Sequence, residues 1–207
     1  MIIVIDYDAG NTRNVMRALT KVGLTSKLSS DIKEIKAADG LILPGVGAFP
    51  KAMAELEQRG LIEVLKEVVA AGKPLLGVCL GMQLLLDVSF EHQLTSGLGF
   101  IPGSCRLIPA KPHYPVPHMG WNQLEVTQEN PLTKGIFGEY VYFVHSYYTD
   151  VPSEYLNATS QYSMTIPAMI SNGNVFGAQF HPEKSGAVGQ QILLNFKEYI
   201  DANSTSN

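Results

Sequence analysis

The five residues Gly77-Val78-Cys79-Leu80-Gly81 constrain this chain most. An apolar run over 74–78 leads into the cysteine, and a helical pattern over 82–86 follows Gly81. Strand, sharp turn and helix in that order form the cysteine version of the G-x-S-x-G nucleophile elbow. Such a turn is strained and presses the backbone against its neighbours. Glycines two before and two after the cysteine remove the Cβ atoms that would collide there. A cysteine in this position stands at a helix start, where the helix dipole favours the thiolate, its reactive form. The same pentapeptide also fits a buried core cysteine between turn glycines, so a base elsewhere in the chain has to separate the two readings.

The elbow needs parallel strands around it, and the first half supplies them. Residues 2–5 are a continuous apolar run, as in a central parallel strand. A helix follows, with Val15, Ala18, Leu19 and Val22 on one face and Gly23 at its end. A short strand over 25–28 and a clearer one over 40–43 come next, then helices over 51–59 and 61–71 split by Gly60. This alternation predicts a doubly wound parallel sheet with its ligand-binding loops at the strands' C-terminal ends. Those loops are 6–11, 44–49 and the Cys79 elbow, expected on one edge. From about residue 97 the chain is richer in Gly, Pro and aromatics. Strands are predicted over 140–148, 155–159, 166–171 and 175–180, with Asn172-Gly173 as a hairpin turn and a last helix over 188–200. The expectation is one α/β domain, residues 1–200, with a mostly parallel central sheet in a three-layer α/β/α sandwich, and a flexible tail over 201–207.

Composition narrows the function. The chain has 207 residues, enough for one large domain. Its net charge is −4 with no basic run, which argues against a nucleic-acid partner. No apolar run reaches the length of a membrane span. The two cysteines, Cys79 and Cys105, make no disulfide framework, and no basic segment precedes the first apolar run, so a cytoplasmic location is expected. No His/Cys spacing suits a metal site.

A nucleophilic cysteine needs a base and a group that orients it. His92, His113 and His118 lie in or next to predicted loops and read as surface or packing residues. His145, inside an aromatic strand, fits either a base or a hydrogen-bonded core histidine. His181 closes the strand over 175–180, and Glu183 follows two residues on, on the same side if the chain stays extended; Pro182 favours extension of His181. An imidazole beside one carboxylate is what a catalytic base requires, although a His-Pro turn with a solvated glutamate fits the same residues. Pro44-Gly45-Val46-Gly47 lacks the Lys-Ser/Thr end of a phosphate loop and the third glycine of a dinucleotide fingerprint. It reads as a plain turn or as backbone able to present N–H groups to an oxyanion.

Gly77-Val78-Cys79-Leu80-Gly81-Met82-Gln83 together with His181-Pro182-Glu183 resembles the class I glutamine amidotransferases, which have a flavodoxin-like fold. Asp6-Tyr7 with Gly10-Asn11, Pro44 to Phe49, His118-Met119-Gly120-Trp121-Asn122, Phe143 to Tyr147 and His181 to Ser185 narrow the likeness to the glutaminase subunits of imidazole glycerol phosphate synthases, which serve histidine biosynthesis. The resemblance implies that Cys79 attacks the side-chain amide of glutamine, His181 moves the proton and Glu183 orients His181. It implies an oxyanion hole from the Leu80 N–H and an N–H of Gly45 or Val46, and glutamine contacts at Gly47, Gln83, Glu91, Ser146 and Tyr147. It implies no cofactor, and a heterodimer with a (β/α)8-barrel cyclase subunit that receives the ammonia across an interface including Asn11, Asn14, Trp121 and Lys184. A peptide bond in the 45–46 segment could act as a switch, since Gly45 has little steric cost for turning. One departure stands out: Asp8 occupies a place where these subunits usually carry glycine. The glutaminase of an anthranilate- or pyridoxal phosphate-type synthase, a non-catalytic regulatory module on the same fold, and a Cys-His peptide hydrolase are the competing readings.

Overall fold

The computed structural model describes residues 1–204. Strand β1 (Ile2–Ile5), helix α1 (Thr12–Lys21), β2 (Ser26–Ser29), α2 (Ile32–Ala37), β3 (Gly40–Leu43), α3 (Phe49–Gln58), α4 (Leu61–Ala70), β4 (Leu75–Val78) and α5 (Leu80–Leu84) build the first half. Then come short strands: β5 (Val88–Ser89), β6 (Thr95–Ser96), β7 (Ser104–Leu107), β8 (His118–Gln123), β9 (Glu125–Val126), β10 (Tyr140–His145) and β11 (Tyr147–Asp150). The chain closes with β12 (Leu156–Gln161), β13 (Thr165–Asn172), β14 (Val175–Ala178) and α6 (Gly186–Ser204).

The main sheet has eight strands in the order β2-β1-β3-β4-β14-β13-β12-β9. Strands β2 through β14 in that order are parallel, and β13, β12 and β9 extend the sheet antiparallel. All four residues of β1, β3, β4 and β14 are buried, which explains their unbroken apolar sequences. Alternation along β1 divides the core. Ile2 and Val4 pack with Val15 and Leu19 of α1 and with Ile192 and Phe196 of α6. Ile3 and Ile5 pack on the other face with Ile35, Leu56 and Leu65 from α2, α3 and α4. Each such side chain contributes about 2 kcal/mol by leaving water. The result is the expected α/β/α sandwich.

Strand β14 lies against β4 in parallel, Val78 opposite Ala178. This pairing positions the site, because Cys79 and His181 follow the adjacent C-terminal ends of two neighbouring strands. The ends of β1 and β3 open on the same edge.

Several expectations need correction. Helix α2 has no counterpart in the sequence reading; it is six residues long and depends on Asp31, whose carboxylate accepts the Glu34 N–H at 2.9 Å. The single strand expected over 140–148 breaks at Ser146. Strand β10 pairs with β8 in a two-stranded ribbon, while β11 joins a separate four-stranded sheet, β11-β7-β5-β6. Helix α6 continues to Ser204, so residues 201–204 of the expected tail are helical and 205–207 lie outside the described residues. Among the described residues, no helix is long and apolar enough to cross a membrane.

Candidate active site

The elbow is as tight as its glycines suggest. Cys79 has φ 55° and ψ −112°, a conformation costly for a residue with a side chain. A Cβ on Gly77 would lie 2.5 Å from the Gly81 carbonyl oxygen, and one on Gly81 would lie 1.9 Å from the Leu43 carbonyl oxygen at the end of β3. Neither contact is tolerable, so both glycines are required by backbone packing. The Cys79 N–H donates to the Ala178 carbonyl at 2.8 Å, which locks the turn to β14. Helix α5 has five residues, too few for a large macrodipole. What it offers is its first N–H groups, those of Leu80 and Gly81, which have no intrahelical acceptor.

His181 is held by its main chain: its N–H donates to Tyr142 at 3.0 Å, and its carbonyl accepts the Ser185 hydroxyl at 2.7 Å. Its Nδ1 lies 2.7 Å from Glu183 Oε1, and both side chains are almost entirely buried. The route differs from the extended one read in the sequence. Residues Pro182–Lys184 form a 3-10 turn that folds Glu183 back under the ring. Helix α6 braces this turn, since a Cβ on Gly189 would sit 1.8 Å from the Pro182 carbonyl oxygen. Burial pushes the His181 pKa down, but Cys79 and Glu183 outweigh it and raise the value to about 9. No hydrogen bond joins thiol and imidazole in this conformation. Cys79 Sγ is 3.8 Å from the Val144 carbonyl oxygen and 3.9 Å from Gln179 Nε2, and His181 Nε2 is buried without a partner. The carboxylate of Glu183, 2.7 Å from Nδ1, sustains the rise in this conformation. An orphan ring nitrogen beside a thiol is poised for the proton transfer that ionises it.

A cavity of about 310 Å³ opens over Cys79 and His181. Val46, Gly47, Leu80, Gln83, Glu91, Ser146, Tyr147 and Lys184 all line it, as do Val144 and His145. Gly45 and Glu183 are not part of its lining. A larger cavity of about 510 Å³ between α3, α4 and β6 has neither a cysteine nor a histidine in its lining. Glu91 is buried, and its Oε2 accepts the Phe49 N–H at 2.9 Å, capping α3. Gln83 Nε2 donates to the Tyr147 carbonyl at 3.0 Å and to Gln179 Oε1 at 3.1 Å, which leaves its carboxamide oxygen for a ligand.

The 44–47 loop is anchored at one end and loose at the other. The Tyr7 hydroxyl donates to the Pro44 carbonyl, and burial, then Cys79, pushes the Tyr7 pKa up, so it remains a donor. A Cβ on Gly45 would meet Tyr7 Oη at 2.7 Å and Leu80 Cβ at 2.9 Å. Gly45 is thus confined by close packing, contrary to the low steric cost read in the sequence. Freedom lies further along, at exposed Val46 and at Gly47, which has φ 103° and open space around it. Asp8 adopts φ 62°, a conformation glycine would take without strain and aspartate tolerates.

At the cavity rim the Lys184 ammonium lies 5.8 Å from the Tyr142 ring, and the Trp121 indole, outside the cavity, lies 6.0 Å from the same ring. Asn14 borders a hollow shared with Pro182 and Glu183. Asn11 is the N-cap residue of α1, but its side chain makes no capping bond. Met119, Trp121 and Tyr140 are exposed on the β8–β10 ribbon, an apolar face beside the site.

Two roles near the chemistry were not legible in the sequence, those of Gln179 and Tyr7. Gln179 reaches both Cys79 and Gln83, and Tyr7 holds the loop. His118 is the first residue of β8, next to the preceding loop as expected, and is fully buried there as a packing residue. His145 engages the Tyr147 carbonyl and His118 through its two ring nitrogens, which leaves neither nitrogen open to Cys79, so it is not the base.

A family model described as Glutamine amidotransferase class-I matches residues 3–199. The imidazole glycerol phosphate synthase subunit HisH of Streptococcus gordonii is 65% identical over 204 residues, covering 99% of this chain and 99% of that protein. The HisH subunit of Listeria monocytogenes is 61% identical over 198 residues, covering 96% and 95%. Among solved structures, one described as a glutamine amidotransferase matches with a TM-score of 0.76 at 18% identity, covering 97% of this chain and 100% of that one. A putative GMP synthase protein from Thermoplasma acidophilum matches at 0.73 and 20% identity, covering 99% and 95%. At those identities the structural likeness concerns the fold.

Proposed function

The chain belongs to the class I glutamine amidotransferases, in the HisH family of imidazole glycerol phosphate synthase subunits, and from that premise we propose that Cys79, His181 and Glu183 are its catalytic triad. The observation that carries this reading is the juxtaposition of a strained, buried cysteine and a carboxylate-paired histidine at the ends of two hydrogen-bonded parallel strands.

As such a subunit it hydrolyses glutamine to glutamate and ammonia for histidine biosynthesis. Cys79 gives its proton to His181 and attacks the amide carbon. Glu183 holds the imidazolium, whose raised pKa lets it keep that proton while sulfur attacks. The tetrahedral oxyanion is met by the Leu80 N–H and an N–H of Gly45 or Val46. Its collapse expels ammonia, protonated by His181, and leaves a γ-glutamyl thioester. Water, deprotonated by His181, then releases glutamate and restores the thiol. The Glu91 carboxylate suits the ammonium of glutamine, with Gly47, Gln83, Ser146 and Tyr147 around the rest. The ammonia goes to a (β/α)8-barrel cyclase subunit in a heterodimer. The apolar β8–β10 ribbon, with Asn11, Asn14 and Lys184 nearby, is the surface that suits it. The looseness at Val46 and Gly47 supports control of the oxyanion donors by that partner. No cofactor takes part, and the reaction is cytoplasmic. High identity to HisH subunits across nearly the full length speaks against the anthranilate- and pyridoxal phosphate-type readings.

Replacing Cys79 by alanine tests the assignment. Glutamine hydrolysis should be lost while the cyclase complex still makes product from added ammonia. Retained hydrolysis would remove Cys79 from the mechanism.

A further inference from the structure

Two buried histidines that the mechanism does not use face each other beside the cavity. His118 Nδ1 lies 2.9 Å from His145 Nε2. The outer nitrogens are also engaged: His145 Nδ1 lies 2.7 Å from the Tyr147 carbonyl oxygen, and His118 Nε2 lies 2.8 Å from Asn122 Oδ1. A carbonyl only accepts, so His145 Nδ1 must donate. Asn122 cannot be turned to offer its nitrogen instead, because Nδ2 donates to the Gln161 carbonyl at 3.0 Å. His118 Nε2 must therefore donate as well. Two neutral rings with their single protons directed outward would oppose two lone pairs across 2.9 Å. A third proton between them removes the conflict, and every contact is then made.

We propose that His118 and His145 share one extra proton as a buried cationic pair that holds the Tyr147 carbonyl and, through it, the seat of Cys79, so that both are positioning residues for the glutamine hydrolysis inferred above. The link is continuous. Tyr147's carbonyl also accepts from Gln83, Gln83 donates to Gln179, and Gln179 reaches Cys79 Sγ. At its far end the same chain reaches Asn122, next to exposed Trp121 on the ribbon. The functional part rests on the proposed glutaminase activity; the shared proton does not.

Opposing forces act on the pair. Burial of both rings disfavours charge, and on His145 a charge on His118 and then one on His181 act in the same direction. Asn122 and the Tyr147 carbonyl favour it by accepting from the charged form. Tyr162, from the loop after β12, stacks on His118 at 4.0 Å, its hydroxyl donating to Pro115, and Phe143 of β10 stacks at 4.8 Å. No carboxylate acts on either ring. Loss of the proton forces one outward bond to break, either at Tyr147 or at Asn122, so the pair has two discrete arrangements.

Side-chain nitrogen NMR on the full chain labelled at histidine reads the proton directly, without substrate or turnover. Because burial lowers both rings, the joint step is expected below pH about 6.5: on its acid side the pair has all four nitrogens bonded or half-bonded and carries three protons, and it loses one in a single joint step as pH rises. Two neutral rings, each in one fixed tautomer, would overturn the proposal and leave the glutaminase reading untouched. The positioning role is read from the pH profile of Cys79 alkylation by iodoacetamide. His118→Asn offers His145 an amide donor and needs no third proton. In wild type the profile should break at the pH of the joint step; in the variant that break should vanish and the rate fall about tenfold. A variant profile that keeps the break overturns the positioning role.

Discussion

The Cys79 elbow and the 44–47 loop are neighbours built in opposite ways. In the elbow there is no room: Gly77 and Gly81 are pressed against carbonyl groups at distances no Cβ could accept. In the loop, packing stops at Gly45, and Val46 and Gly47 project into open space. The nucleophile is thus fixed by the backbone of three strands, while a candidate source of oxyanion donors is tethered at one end by Tyr7. A site made this way can hold its thiol ready and still be switched by moving a short loop. Separating the two functions explains why strain is tolerated at Cys79, where surrounding bonds over-determine it, and absent where movement is required.

The largest expected effect comes from filling the space that the elbow lacks. Gly81→Ala should destabilise the fold by about 4 kcal/mol or more, because its Cβ meets backbone that cannot yield. Thermal or urea unfolding measures this, and a near-neutral result would mean that the elbow is not the rigid member of the pair.

A smaller effect is expected at the base. Glu183→Gln keeps the shape but removes the charge beside His181, so its pKa should fall from about 9 toward the ordinary histidine range. Because the folded value is raised, protonated His181 stabilises the wild-type fold fully below about 6.5. That contribution disappears as pH rises through about 9. Unfolding measured across this window should show a downward slope in wild type and a shallower one in the variant, and glutamine turnover should fall about a hundredfold. An unchanged histidine titration would separate Glu183 from the base.

The smallest effect on stability belongs to the loop. Val46→Ala should change it by less than about 0.5 kcal/mol, since Val46 is exposed. Its effect should appear instead in how strongly glutamine hydrolysis rises when the cyclase partner is added. A large loss of stability would show the loop to be packed like the elbow and would erase the contrast.

Much of the elbow was legible in the sequence, because its determinants are local: an apolar run, two glycines and a cysteine. Strands β1, β3 and β4 were legible for the same reason. Helix α2 was not, since one turn with Ile35 as its buried anchor gives no periodicity. Strand β8 was hidden because its pattern is inverted, with Met119 and Trp121 facing outward and His118 inward. The break at Ser146 has no local signal either, as two different sheets claim the residues on its two sides. The pairing of His181 with Glu183 was anticipated, but not the 3-10 turn that accomplishes it. Gln179 and the His118–His145 contact depend on strands brought together from distant parts of the chain, and no spacing announces them.

The most direct test of the central claim is to incubate the complex of this chain and its cyclase partner with a glutamine-like electrophile and map the modified peptide by mass spectrometry. One label per chain is expected, on Cys79, and excess glutamine should block it. A label on Cys79 that glutamine does not block, or a label on buried Cys105 instead, would contradict it.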